Sequence, residues 1–118
     1  MKKSIISVMS IEGIHNWPSA KEHFDGEVAY LSNMHRHLFT IKAEFPIEHD
    51  DRDKEFIQVK HMLQSYLNME YYDEGYNLCN FNSMSCEMIA MDLMDQYPDI
   101  LSVEVYEDNE NGIRIINN

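Results

Sequence analysis

The sequence predicts an α+β fold in which two helices lie on one face of a four-stranded antiparallel sheet, and three observations predict it. Apolar residues alternate strictly from Met34 to Phe45, two stretches carry them at helical spacing, and alternation returns near the end of the chain.

The first strand is read over Ser4 to His15, a segment rich in β-branched residues. Its apolar phase slips between Val8 and Met9, as expected of a strand that carries a bulge or is buried on both faces. From Asn16 to Asn33 the pattern breaks at Pro18 and Gly26, over a stretch longer than an ordinary hairpin loop. Long ordered loops in compact domains tend to carry function.

The second strand places His35, His37, Phe39, Ile41, Ala43 and Phe45 on one side and Arg36, Thr40, Lys42 and Glu44 on the other. Pro46 is expected to stop it, because proline has no N–H to give to a ladder. A first helix is read within Arg52 to Leu67, where Phe56, Val59, Leu63, Tyr66 and Leu67 form one stripe on a charged cylinder. A polar, tyrosine-rich loop follows. Ser83 or Ser85 can cap a second helix with Cys86, Ile89, Ala90, Leu93 and Tyr97 on its apolar face, ended by Pro98. Val103, Val105 and Glu107 then share one strand face, and a turn through Asp108 to Gly112 leads to a last strand over Ile113 to Ile116. The expected order is β-β-α-α-β-β.

A chain of 118 residues fits one domain, 1–118, and contains no repeats or linkers that would divide it. With 21 acidic against 9 basic residues its formal net charge is -12, which repels a polyphosphate backbone, so no nucleic-acid partner is expected. No stretch approaches the roughly 18 consecutive apolar residues of a membrane span. The apolar run before Glu12 is too short for a signal peptide, so a soluble, cytoplasmic protein without a membrane partner is expected. Cys79 and Cys86 have no metal or redox spacing and read as two thiols.

Histidines two apart on a strand project in parallel, so His35 and His37 can supply two ligands to one metal without distorting the backbone. His15 is the candidate third ligand, since it ends an apolar strand where an unsatisfied imidazole costs desolvation energy. Three neutral imidazoles with an open fourth position describe a catalytic zinc site. In the alternative reading, His15 bonds a backbone carbonyl while His35 and His37 line a polar edge. His23, His49 and His61 read as solvated.

These motifs together resemble the 6-pyruvoyltetrahydropterin and 6-carboxytetrahydropterin synthase family. Its first strand has the form F-x-A-A-H before a proline-containing loop, matched by Ile11-Glu12-Gly13-Ile14-His15 and then Pro18. Its H-G-H is matched by His35-Arg36-His37, and its D-F-x-x-L-K by Glu55-Phe56-Ile57-Gln58-Val59-Lys60. Its P-T-x-E is matched by Met84-Ser85-Cys86-Glu87, and its V-x-V-x-E-T by Val103-Glu104-Val105-Tyr106-Glu107-Asp108. The match runs from about Ser7 to Ile115, nearly the whole chain. A cupin shares the H-x-H strand, but Glu44 lies too far along and on the wrong face to be its glutamate.

The resemblance implies a T-fold assembled as a homo-oligomeric barrel, a trimer or hexamer, with zinc held by His15, His35 and His37. It implies that Glu107 binds the guanidine-like edge of a pterin, and that the substrate is dihydroneopterin triphosphate or a related compound, as in pterin or queuosine (deazapurine) biosynthesis. The activity would be that of a carbon–oxygen lyase. Two departures bear on it. Family members that convert this triphosphate use a cysteine shortly before H-G-H, and Glu27 to Met34 contains none. Their relay segment L-D-H-x-x-L-N has its counterpart in Tyr72-Asp73-Glu74, so Asp73 keeps the acid and Glu74 replaces the histidine; these two are the candidate catalytic residues. Cys86 is expected to face packing rather than substrate. The alternative function is a non-catalytic binder of a pterin or purine-like ligand that keeps the zinc site but has lost the synthase chemistry.

Overall fold

A computed structural model describes all residues from Met1 to Asn118. The chain runs β1 (Lys3–His15), β2 (His35–Ile47), α1 (Phe56–Tyr71), β3 (Tyr72–Asp73), β4 (Leu78–Asn80), α2 (Cys86–Gln96), β5 (Ser102–Glu107) and β6 (Gly112–Ile116). Three short 3-10 turns occupy the connection between β1 and β2.

The strands form one six-stranded sheet in the order β3-β4-β1-β2-β5-β6. The expectation of four strands is corrected by β3 and β4, which arise in the tyrosine-rich loop between the helices. Strands of two and three residues are too short to show a periodicity, so pattern reading passes over them. They also make the sheet mixed, because β4 runs parallel to β1, with Gly13 beside Cys79 and Ile14 beside Asn80. The other pairings are antiparallel.

Nor does β1 contain a bulge. It pairs with β2 residue for residue, from Lys3 opposite Ile47 to His15 opposite His35. The phase slip has another cause: Ser7 takes an inward position while Ile6 and Val8 point outward, 58% and 44% exposed. Ser7 is tolerated inside because its Oγ donates to the Phe56 carbonyl at 2.9 Å, at the start of α1. Strand β2 continues one residue past Pro46.

Helix α1 starts at Phe56, the first residue of the apolar stripe, because Glu55 caps it: its carboxylate accepts from the Ile57 N–H at 2.7 Å. Helix α2 is capped by Ser85, whose Oγ accepts from the Met88 N–H at 3.2 Å. Both helices lie on the same face of the sheet. Val59, Leu63 and Leu67 of α1 and Ile89, Ala90 and Leu93 of α2 pack onto Phe39, Ile41, Ala43, Val103 and Val105. Truncating a fully buried leucine such as Leu63 or Leu93 costs about 2–5 kcal/mol, enough to threaten a small domain.

The helices are also joined by one polar clip. Tyr66 and Tyr71 of α1 donate to the two oxygens of Asp92 on α2, at 2.9 Å and 2.5 Å. Burial and the Asp92 carboxylate push the Tyr66 hydroxyl up to about 12 and raise that of Tyr71 further.

At one end of the sheet the core narrows to aromatic rings. A Cβ on Gly13 would come within 2.6 Å of the Phe81 ring, which packs edge-on against Phe39 at 5.2 Å. Glycine here lets Phe81 close over β1 and floor the region where His15 emerges. No helix is long and apolar enough to cross a membrane.

Candidate metal centre and ligand cavity

The unbroken β1–β2 register sets the centre. His15 lies opposite His35, and Gly13 lies opposite His37, so all three imidazoles rise from the inward face at one end of the hairpin. Their rings meet edge-on, with centroids 4.6 Å apart for His15 and His35, 4.9 Å for His35 and His37, and 5.3 Å for His15 and His37. One nitrogen of each lies within 4.8 Å of those of the other two.

Each ring is held from behind through Nδ1. That of His15 donates to the Met84 carbonyl at 2.8 Å, that of His35 to the Asn33 carbonyl at 2.8 Å, and that of His37 to Asp108 Oδ2 at 2.7 Å. A carbonyl or carboxylate oxygen only accepts, so the proton of each neutral ring sits on Nδ1 and Nε2 presents a lone pair. The Nε2 atoms of His15 and His37 are buried and have no hydrogen-bond partner. An orphaned buried acceptor is costly, and a cation between two such neighbours would satisfy both. The donor set, imidazole nitrogens fixed by second partners, fits zinc. The backbone-carbonyl bond of the alternative reading is present, and it leaves the other ring nitrogen of His15 without a partner.

Glu107, at the end of β5, faces this centre rather than solvent. Its Oε2 is 3.1 Å from His15 Nε2 and its Oε1 is 3.6 Å from His37 Nε2. Oε2 stands out of line with the ring nitrogen, so the contact lacks hydrogen-bond geometry and becomes a charge pair only when His15 is protonated. The His15 imidazole beside it holds the Glu107 carboxyl below its ordinary range. For His15, burial pulls the pKa down, but the Glu107 carboxylate and the Met84 carbonyl outweigh it and the net shift is upward. For His35 burial prevails and the shift is downward.

Beside the histidines opens a cavity of about 460 Å³, within the size range of small-molecule sites. Its wall includes Trp17 and Leu31 from the long connection, His15 and His35, Cys86 from α2 and Glu107. The Trp17 N–H donates to the Leu31 carbonyl at 2.8 Å, which ties the two ends of that connection together.

Cys86 packs in the core as expected, and it also forms part of the cavity wall. As the first residue of α2 it reaches the end of β5, and its thiol donates to Glu107 Oε2 at 3.5 Å. Burial, together with the Glu107 carboxylate, pushes the thiol up to about 12. It is therefore a protonated donor on the cavity wall, placed there by the meeting of a helix start and a strand end.

Asp73 and Glu74 stand apart from the cavity of their own chain. Asp73 accepts from the Gly75 N–H at 2.9 Å and from Asn80 Nδ2 at 3.3 Å, in the β3–β4 turn, and Glu74 is exposed beside it. His49 and His61 are exposed as expected, and His23, also exposed, stacks on Trp17 at 5.0 Å.

Sequence reasoning missed Asp108, which stands where the resembling family has threonine. The available signal was its place directly after Glu107 on the strand paired with β2. The Met84 and Asn33 carbonyls leave no trace in a sequence.

Neither a protein-family model nor a curated protein matches the sequence. Among solved structures, 6-pyruvoyl tetrahydropterin synthase from Caenorhabditis elegans matches with a TM-score of 0.70, over 100% of this chain and 97% of that one, at 14% identity. The chain has the tetrahydropterin synthase-like T-fold. At that identity the likeness establishes the arrangement of helices and strands, while any chemistry must be argued from the residues above.

Proposed function

We propose that the protein is a zinc-dependent pterin-binding enzyme of the tetrahydropterin synthase type, acting in the cytoplasm on dihydroneopterin triphosphate or a related compound. One observation carries this reading: two buried imidazole nitrogens lack partners, at a point where three rings converge with their protons committed elsewhere. His15, His35 and His37 would hold the metal. Zinc there supplies Lewis-acid polarisation of oxygens on the bound ligand.

The remaining roles fall to the chain's own groups. The Glu107 carboxylate can accept paired hydrogen bonds from a planar N–C–N edge, an arrangement strengthened by its charge and partial burial. Trp17 and Leu31 provide apolar wall for a flat ring and keep water from it. Asp73 and Glu74 are proposed as proton carriers delivered from a neighbouring copy, since their own chain keeps them away from its cavity.

That role requires a homo-oligomer, a trimer or hexamer with sites between subunits. Two features support it. The outer strands β3 and β6 leave sheet edges without partners, and the helix-free face exposes Ile6, Val8, Leu38 and Ile116.

The non-catalytic alternative is favoured by one observation: no cysteine precedes His35 in the stretch Glu27 to Met34. Metal analysis of the purified protein tests the shared premise. About one zinc per chain is expected, with most of it lost in His35→Ala or His37→Ala. A metal-free wild type with an intact fold overturns the proposal.

A further inference from the structure

Glu107 stands nearer the histidines than the orienting of a ligand requires. The hydrogen bonds behind His15 and His37 place a lone pair on each Nε2, and two carboxylate oxygens face them at 3.1 Å and 3.6 Å. While the rings are neutral, acceptor confronts acceptor, and the contact needs a positive charge between or upon its members. Such a grouping is unfavourable by itself and favourable around a cation.

Its dimensions point the same way. Donors at zinc–ligand distances of about 2.0–2.2 Å in a tetrahedron lie about 3.3–3.6 Å from one another. Glu107 comes near that spacing through a different oxygen at each ring, Oε2 at 3.1 Å from His15 Nε2 and Oε1 at 3.6 Å from His37 Nε2. The Cys86 thiol, donating to Oε2 at 3.5 Å, holds the carboxylate in place from the opposite side.

We infer that Glu107 is a fourth, exchangeable ligand of the metal held by His15, His35 and His37. With the cavity empty the centre is closed. An incoming ligand with a planar donor edge draws the carboxylate away and opens the fourth position. This inference rests on the proposed metal centre and adds to it that one carboxylate serves two competing partners. The competition is reciprocal: whatever free energy the metal gains from Glu107, the ligand must match.

The test uses cobalt(II) alone as a spectroscopic stand-in for zinc, with full-length wild type, Glu107→Gln, Glu107→Asp and His35→Ala. Visible absorption reports the ligand set, and competition with a chelator gives the affinity, with no substrate turnover involved. Glu107→Gln is expected to shift the cobalt bands and to weaken affinity about 10-fold or more, while Glu107→Asp keeps a carboxylate and moves back towards wild type. Adding a stable dihydropterin to wild type should move its bands towards those of Glu107→Gln. If Glu107→Gln binds cobalt within twofold of wild type with the same bands, Glu107 is not a ligand, although the histidine centre stands. If wild type takes up no cobalt, the metal centre falls and the inference with it.

Discussion

Asp108 holds His37 from behind: its Oδ2 accepts from His37 Nδ1 at 2.7 Å, while its Oδ1 accepts from the Leu38 N–H at 2.9 Å. The Asp108 N–H returns a bond to the Leu38 carbonyl at 2.9 Å, so one residue joins the end of β5 to β2 and fixes one ring of the histidine cluster. The His37 contact keeps the Asp108 carboxyl below its ordinary range.

Asp108→Asn tests that positioning role. Asp108 has φ +54°, a left-handed conformation that asparagine also tolerates, so the backbone is left unstrained. Metal affinity is expected to fall about 10- to 100-fold with the fold retained. Chelator competition alongside circular dichroism measures both, and unchanged affinity would show that His37 needs no help to face the metal.

The tyrosine clip makes a prediction about alkali. Tyr66 titrates at about 12 in the folded chain, above the ordinary 10, through burial first and the Asp92 carboxylate second. A group whose pKa is raised by folding contributes stability below its unfolded value and loses it as pH rises, here between about 10 and 12. Asp92→Asn should bring tyrosinate formation to lower pH and cost about 1–3 kcal/mol at neutral pH, because one carbonyl replaces two accepting oxygens. Tyrosinate absorbance and urea unfolding read the two effects.

Binding and turnover should separate. A stable dihydropterin is expected to bind wild type more tightly than Glu107→Gln, whereas dihydroneopterin triphosphate should be turned over slowly or not at all. A general acid or base typically contributes a factor of about 100 to 10,000, and the relay here lacks its family cysteine and histidine. Equal affinities by calorimetry would refute the first half. Turnover at an ordinary enzyme rate would refute the second and direct attention to Cys86, whose thiol already contacts Glu107.

The helix-free face should be covered in solution. Light scattering is expected to give a trimer or hexamer, and Val8→Lys, which plants a charge on that face, should dissociate it with the fold intact. A wild-type monomer at micromolar concentration would remove the proposed role of a neighbouring copy's Asp73 and Glu74.

How far the sequence could be read depends on which physical rule fixed each residue. His35 and His37 were legible because strand alternation forces both onto the face of Phe39 and Ile41, and His15 because an apolar strand ends on it. Glu107 followed from the same rule through Val103 and Val105. Strands β3 and β4 were not legible, since the pairing of β4 with β1 and of β3 with β4 comes from tertiary contact and not from local pattern. The smooth β1 was misread for a related cause: Ser7 is polar yet inward, and only its bond to Phe56 across the fold explains it. Asp108 and Cys86 depend on where a turn and a helix start come to rest, which no spacing along the chain encodes.

The unbroken pairing of β1 with β2 makes the centre sensitive to chain length in a way it is not to residue identity. Along a strand, one added or deleted residue turns every later side chain to the opposite face. An insertion in the middle of β1 would therefore turn outward either His15 or the residues before the insertion, or force a bulge to absorb it, while many substitutions at the same place would leave the three imidazoles in position. Drift in such a chain is steered towards replacing letters and away from adding or dropping them.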